Sequence, residues 1–291
     1  MAEFEEAYAF TRQHVGRKLE LAVAVDGSRV GMKALELALS FMQAERNDTL
    51  DLIHVIDQEA SILQAPEHIQ KQCELIASKA GAKLKFHAQP KMEEGVIATI
   101  ARTAERTRAD LLLVGAYGLK IEAGAEPKDS FSVMGSVSDG SLRRSDVSVA
   151  IVKSTSYDVD QGGRRKFMLC TDDSPSAKVA FALLVTKLAK KADKLLVFSN
   201  IVDCDAVLAK YKVECDKLGL DCELHTAHDS STNVSEDILT FATEKQVDVL
   251  LLGTNGFSGN TLGSVSDRVS NMARCTTIVV KDPRVTTSAG V

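Results

Sequence analysis

The sequence predicts an α/β protein built of two tandem doubly wound parallel five-stranded sheets with helices on both faces. Three observations carry this. First, the chain is one domain written twice. Gly115-Ala116-Tyr117-Gly118 follows an apolar run ending at Val114, and Gly253-Thr254-Asn255-Gly256 follows one ending at Leu252. Second, Gly135-Ser136-Val137-Ser138-Asp139 recurs as Gly263-Ser264-Val265-Ser266-Asp267. Third, apolar runs of strand length alternate with stretches of helical period, the pattern of a parallel sheet with crossover helices.

The first strand is predicted over residues 20–25, ending at Asp26-Gly27-Ser28. Ser28 is a good N-cap. The helix after it places Ala34, Leu35, Ala38, Leu39 and Met42 on one stripe. The second copy reads Phe167 to Thr171 as a strand, then Asp172-Asp173-Ser174-Pro175. Ser174 as cap with Pro175 at the first helical position makes a firm helix start, because proline lacks only an N–H that would be orphaned there. Strand two is predicted over Asp51 to Asp57, matched by Leu195 to Asp203. Strand three is predicted over Lys83 to His87, matched by Asp221 to His225. Strand four ends at Val114 and Leu252, a helix opens at each Gly-Ser pair, and a β-rich run closes each copy.

The repeat offsets show where the copies differ in length. Asp26 to Asp172 and Val55 to Ile201 are both 146 apart, Gly115 to Gly253 is 138, and Gly135 to Gly263 is 128. The division expected is 1–153 for the first domain, 154–165 for a linker with Gly162-Gly163, and 166–291 for the second. The closing runs, Val147 to Val152 and Thr276 to Val280, carry no charge. Uncharged strands at a sheet edge seek a partner. The halves are therefore expected to pair as an intramolecular pseudo-dimer, with a homodimer as the alternative.

Composition narrows the function classes. The net charge is −5 with no basic stripe, there is no Trp, and aromatic residues make up 5 %. Nucleic-acid binding wants clustered cations and stacking rings, so it is not expected. No run of 18 apolar residues is present, so no membrane association is expected. The start, Met1-Ala2-Glu3-Phe4-Glu5-Glu6, is acidic and unlike a signal peptide. The six cysteines form no C-x-x-C pair and read as reduced thiols, with Cys170 in a buried strand. A cytoplasmic location follows as the expectation.

In an open parallel sheet, ligands bind beyond the carboxyl ends of the strands where strand order reverses. Asp26, Val55, Val114 and Gly115 lie at such ends, as do Asp172, Ile201, Leu252 and Gly253. A glycine there lets the backbone turn sharply and approach a ligand. The helix starts Ser136-Val137-Ser138 and Ser264-Val265-Ser266, each behind a glycine, offer free N–H groups to an anion such as phosphate. Ser136, Ser138, Ser264 and Ser266 are candidate hydroxyl donors. The aspartates at the end of strand one are candidate acceptors for an adenine amino group or a ribose hydroxyl. Together these describe a mononucleotide site made largely of backbone.

These motifs, with "HVID" in strand two, "LLVGAYG", "LLLGTNG" and "GSVSD", resemble the universal stress protein family in its tandem form, over residues 19–281. The resemblance implies a Rossmann-like, adenine nucleotide alpha hydrolase-like fold and a signature of Gly-x-x-Gly, nine residues, then Gly-Ser/Thr for ATP. It implies that Gly115, Gly118, Gly135 and Ser136 hold phosphates and ribose, with Asp26 and Val55 at the adenine. In the second copy it implies Gly253, Gly256, Gly263 and Ser264, with Asp172 and Ile201. The spacers depart from nine: 16 residues in the first copy and six in the second. Six residues still span roughly 20 Å when extended, so closure is feasible. ATP or AMP is the expected ligand, with Mg²⁺ accompanying the phosphates as a further expectation.

Other residues read blandly. His225-Thr226-Ala227-His228 reads as a surface pair, since alternate strand residues face opposite sides. Glu93-Glu94 reads as a solvated loop before a helix, and His87 as an ordinary strand residue. No Walker A, G-x-G-x-x-G or G-x-S-x-G motif occurs, and no base or nucleophile is set up. The expectation is a nucleotide-binding regulatory protein of stress response with an unidentified protein partner. A slow Mg-dependent ATPase and a nucleotide-free scaffold are the alternatives.

Overall fold

In the computed structural model, the described residues are 18–57, 65–122, 134–155, 164–201, 204–227, 233–254 and 262–282. The chain divides into two compact units that part between Thr155 and Ser156.

In the first unit the order is β1 (Glu20–Ala24), α1 (Arg29–Phe41), β2 (Thr49–Ile56), α2 (Pro66–Lys79), β3 (Lys85–Pro90), α3 (Val96–Arg106) and β4 (Leu111–Gly115). A single helical turn, Leu119–Glu122, precedes α4 (Ser136–Arg144) and β5 (Ser148–Val152). The strand order is β3-β2-β1-β4-β5, and every neighbouring pair is parallel. The order reverses between β1 and β4, so a crevice opens beyond their carboxyl ends. Right-handed crossovers send α1 and α2 to one face and α3 and α4 to the other, and each pair packs together. The central strands are sealed, with Leu21, Val23, Leu111, Leu113, Val149 and Ile151 at zero exposure.

The second unit repeats the plan: β6 (Lys166–Cys170), α5 (Pro175–Leu183), β7 (Lys194–Ser199), α6 (Asp205–Leu218), β8 (Asp221–Thr226), α7 (Val234–Glu244), β9 (Val249–Gly253), α8 (Ser264–Met272) and β10 (Thr276–Val280). Its strand order is β8-β7-β6-β9-β10, again with parallel pairs. Carboxylates anchor the opposite, amino ends of the strands in matching fashion. Asp110 accepts from Glu20 N at 2.8 Å in one unit, and Asp248 from Lys166 N at 2.7 Å in the other.

The element order and the fold class are as the sequence predicts. Several boundaries differ. β3 runs to Pro90 rather than stopping at His87. It is an edge strand, where a terminal proline costs no ladder bond. β7 stops at Ser199 rather than Asp203. Asn200 turns its amide to Asp237 on α7 at 2.9 Å instead of continuing the ladder. The α1 stripe is also displaced: Leu37 and Phe41 are buried with Ala34, Leu35 and Ala38, while Leu39 and Met42 are only partly covered. Packing against both the sheet and α2 widens the buried face. α5 ends in a π-helical turn, Leu184–Leu188, that no local signal announces.

Candidate functional site

Ser28 is the N-cap of α1, its hydroxyl accepting from Gly31 N at 3.1 Å. Ser174 does the same for α5, from Ala177 N at 3.3 Å, with Pro175 in the first turn. These caps set the tight β1–α1 and β6–α5 turns. The turns carry Gly27 and Asp173 at equivalent positions, both with positive φ, +88° and +57°. Aspartate is among the few side chains that enter this region readily.

Asp26 bridges two segments. One carboxylate oxygen accepts from Ser28 N at 3.0 Å and the other from Leu119 N at 3.1 Å. The end of β1 is thereby tied to the turn after β4. Asp172 keeps the first contact, accepting from Ser174 N at 3.1 Å. Its second-copy counterpart of Gly118, Gly256, lies outside the described residues.

The glycines serve different ends. A Cβ on Gly115 would lie 3.0 Å from Gly31 N and 3.1 Å from Val30 C, and one on Gly253 would lie 2.4 Å from Ser176 Oγ. Both are therefore required by the close approach of a helix start to a strand end. Packing within the fold is thus a reason for glycine at both positions that the sequence reading did not include. Gly118 is demanded by Asp26, whose carboxylate a Cβ would meet at 2.3 Å. Gly135 is different: among the described residues a Cβ there would find only ordinary contacts, the nearest at 3.5 Å. At Gly263 the nearest is Thr254 O at 3.2 Å, a mild squeeze.

Gly135 and Gly263 are the N-caps of α4 and α8, and among the described residues neither helix has a side-chain cap. The first intrahelical bonds are Asp139 N to Gly135 O and Asp267 N to Gly263 O. The amides of Ser136, Val137 and Ser138, and those of Ser264, Val265 and Ser266, have no acceptor within their own helix. The hydroxyls behave otherwise than expected. Ser138 Oγ donates to Ala116 O at 2.7 Å and Ser266 Oγ to Gly253 O at 2.8 Å. Both are thus committed to the fold, which corrects their reading as ligand donors. Ser136 and Ser264 are exposed.

A cavity of about 440 Å³ occupies the crevice of the first unit. Asp26, Val55, Val114, Gly115 and Gly118 line it, together with Gly135, Ser136, Val137 and Ser138. Sequence reasoning did not single out His54, Tyr117, Ile97 or Ile100, which also line it. His54 Nδ1 is held by Val25 O at 2.9 Å, and its ring stacks on Phe86 with centroids 6.2 Å apart. Glu94 and Asp57 stand at the wall, paired with Arg102 at 2.6 Å and Lys91 at 2.9 Å. A backbone hydrogen bond, with the Arg102 pair beside it, holds the Glu94 carboxyl below its usual range. A smaller cavity, about 270 Å³, lies in the second unit. It is lined by Asp172, Ile201, Leu252 and Gly253, and by Gly263, Ser264, Val265 and Ser266. Phe198, Asn200, Val234 and Ile238 also line it. Beneath it, Thr171 Oγ1 and Tyr211 OH are 2.8 Å apart. Burial is the main cause that pushes the Tyr211 phenol up.

The bland readings divide. Glu93 and Glu94 are exposed as expected. His87 is more than a plain strand residue: its Nε2 is 2.6 Å from Asp51 Oδ1. His225 is partly buried against Phe241, with ring centroids 4.7 Å apart, rather than on the surface, and His228 lies outside the described residues. Among the described residues no three or more His, Cys, Asp or Glu are grouped to hold a metal ion. No helix among them is long and apolar enough to cross a membrane.

The family model for the universal stress protein family matches residues 20–153 and 221–281. Together these are more than half of the chain, and the chain belongs to that family. The match takes in the whole first repeat from β1 but only the later part of the second, from β8. Two solved structures are similar across nearly the full length. One is a universal stress protein from Archaeoglobus fulgidus DSM 4304, 19% identical, covering 92% of this chain and 97% of that one, with a TM-score of 0.61. The other is a functionally unknown protein from Pseudomonas aeruginosa PAO1, 13% identical, covering 94% and 96%, with a TM-score of 0.63. At these identities the likeness speaks to the fold. A search of curated proteins finds no match.

Proposed function

We propose that the protein binds an adenine nucleotide, ATP or AMP, in the crevice of each unit, and that binding serves a regulatory role in stress response rather than a dedicated catalytic one. The observation that carries this is the pair of uncapped helix starts at Gly135 and Gly263. Each opens on a cavity at the carboxyl ends of the strands. An uncapped N-terminus supplies N–H groups and the positive end of the helix dipole to a phosphate. Gly135 adds a second reason. None of the described residues requires glycine there, so the missing side chain leaves room for a ligand. The apolar walls, Ile97 and Ile100 in one cavity and Phe198 and Ile238 in the other, suit the faces of a planar base. Family membership supports the same ligand class. A divalent ion would arrive with the phosphates.

Native mass spectrometry of the gently purified chain tests this. The expected result is a mass increment of an adenine nucleotide, either carried through purification or gained on incubation with ATP or AMP at millimolar concentration. No increment under either condition contradicts the reading.

A further inference from the structure

One side-chain pair distinguishes the second cavity from the first. Asn200, the first residue past β7, lines the second cavity, and its Nδ2 donates to Asp237 Oδ2 on α7 at 2.9 Å. A carboxylate only accepts, so this bond fixes which way the planar amide is turned. Its Oδ1 is then the atom turned away from Asp237. Among the described residues no donor is bonded to that oxygen. Asp237 lies in the first turn of α7, where the helix dipole favours negative charge. Asn200 lines the cavity and Asp237 is not among its lining residues. The edge of the amide left for the cavity is therefore the acceptor.

The first copy has no such pair. The repeat offset of 146 matches Asn200 to His54, and the starts of α3 and α7, 138 apart, match Asp237 to Thr99. Neither an amide nor a carboxylate stands at those positions. His54 Nδ1 is 2.9 Å from Val25 O, and Thr99 Oγ1 donates to Gly95 O at 2.9 Å. The two cavities share their glycines and helix starts and differ here.

We propose that Asn200 selects the base in the second cavity, its Oδ1 accepting a hydrogen bond from an exocyclic amino group, with Asp237 as the positioning residue that holds the acceptor toward the ligand. This rests on the nucleotide reading above and adds which part of the ligand is read. Phe198, two residues earlier, and Ile238, next to Asp237 on α7, are apolar walls of the same cavity. They suit the faces of a base, and Asn200 supplies an oriented acceptor for its edge. The start of α8, where a phosphate would sit, is a separate part of the lining. An aminopurine brings an N–H donor to that acceptor. An oxopurine brings an oxygen, which Oδ1 repels. An amide free to turn over would serve either; one held by a carboxylate serves the first. Discrimination of this kind comes from the polar group that the wrong ligand leaves unpaired.

The test is a nuclear magnetic resonance titration of the full chain with assigned backbone amides. Shifts at Val265 and Ser266 report the second cavity, and those at Val137 and Ser138 the first. The probes are AMP and ATP, each set against the purine riboside nucleotide of equal phosphate number, which lacks only the exocyclic amino group. At the second cavity the amino-bearing nucleotide is expected to bind about fivefold or more tightly than its analogue. Asn200→Leu should bring the two to parity there and leave the ratio at the first cavity unchanged. Asp237→Asn should lower the preference, because an amide partner admits both orientations of Asn200. Asn200→Asp combined with Asp237→Asn should restore it, since the donor then sits on α7 and an acceptor again faces the cavity. A role confined to tying β7 to α7 would move stability and not this ratio. No preference in the wild type, or one that survives Asn200→Leu, overturns the proposal and leaves the nucleotide reading standing. Binding confined to the first cavity overturns the proposal as well, and binding at neither cavity overturns both readings.

Discussion

The carboxylate of Asp26 and the backbone of Gly118 occupy one another's space. Asp26 Oδ2 accepts from Leu119 N at 3.1 Å, and any Cβ on Gly118 would lie 2.3 Å from that same oxygen. The pair fixes the turn after β4, and with it one wall of the first cavity. Gly118→Ala should cost about 1–3 kcal/mol, the range for forcing atoms into filled space. Asp26→Ala should relieve that clash, so the double variant should lose less than the two single variants summed. Urea unfolding of the four proteins measures the coupling. Strict additivity would show that the turn accommodates the methyl by another route.

A second contact distinguishes the copies. A Cβ on Gly140 of α4 would strike Ile97 Cδ1 of α3 at 2.3 Å. At the matching places the second unit has Arg268, fifth in α8, and Ser235, second in α7. A small residue on either helix lets the two pack. Gly140→Ala is expected to destabilise, although alanine has the better helix propensity by roughly 1 kcal/mol. In an Ile97→Ser background the same change should become neutral or stabilising. Thermal unfolding of the two backgrounds decides this.

His225 gives stability a pH dependence. Burial, with Lys245 secondary, holds its imidazole below the ordinary value of 6.5. A depressed folded-state value means the folded chain prefers neutral His225. Its contribution is complete above the unfolded value and is lost as pH falls through the folded one. The melting temperature should fall on acidification below about pH 6.5. His225→Phe, which keeps a ring against Phe241, should flatten that fall. An equal fall in wild type and variant would assign the effect to other groups.

Turnover should be slight. Among the described residues no side chain in either cavity is paired as base and nucleophile, and Ser138 and Ser266 spend their hydroxyls on backbone carbonyls. Phosphate release from ATP is expected far below the roughly 1 s⁻¹ of an ordinary enzyme. Turnover at enzyme rates, abolished by Gly135→Val, would overturn the regulatory reading.

The fold was legible because its signals are local and repeated. Ser28 and Ser174 announce their helices, Pro175 pins a first turn, and the strand ends at Gly115 and Gly253 follow unmistakable apolar runs. The residues at the cavities were legible for the same reason, as glycines and hydroxyls at those ends. What each of them does was not. Gly115 and Gly118 are required by Gly31 and Asp26, partners 84 and 92 residues earlier in the chain. No local pattern encodes such distant crowding. His54 was hidden in the same way, since its place in the cavity depends on β2 lying beside β1. The end of β7 is not legible locally either, because Asn200 answers to Asp237 on a later helix.

The central claim is that phosphate meets the uncapped starts of α4 and α8. Isothermal titration of ATP and AMP into the wild type and into the Gly135→Val, Gly263→Val double variant tests it most directly. Valine at an N-cap costs the fold only about 1 kcal/mol, so the variant should remain folded, which circular dichroism verifies. The account predicts saturable binding by the wild type and a loss of affinity of about tenfold or more in the variant, 1.4 kcal/mol per decade. Unchanged affinity and stoichiometry in a folded double variant would contradict it.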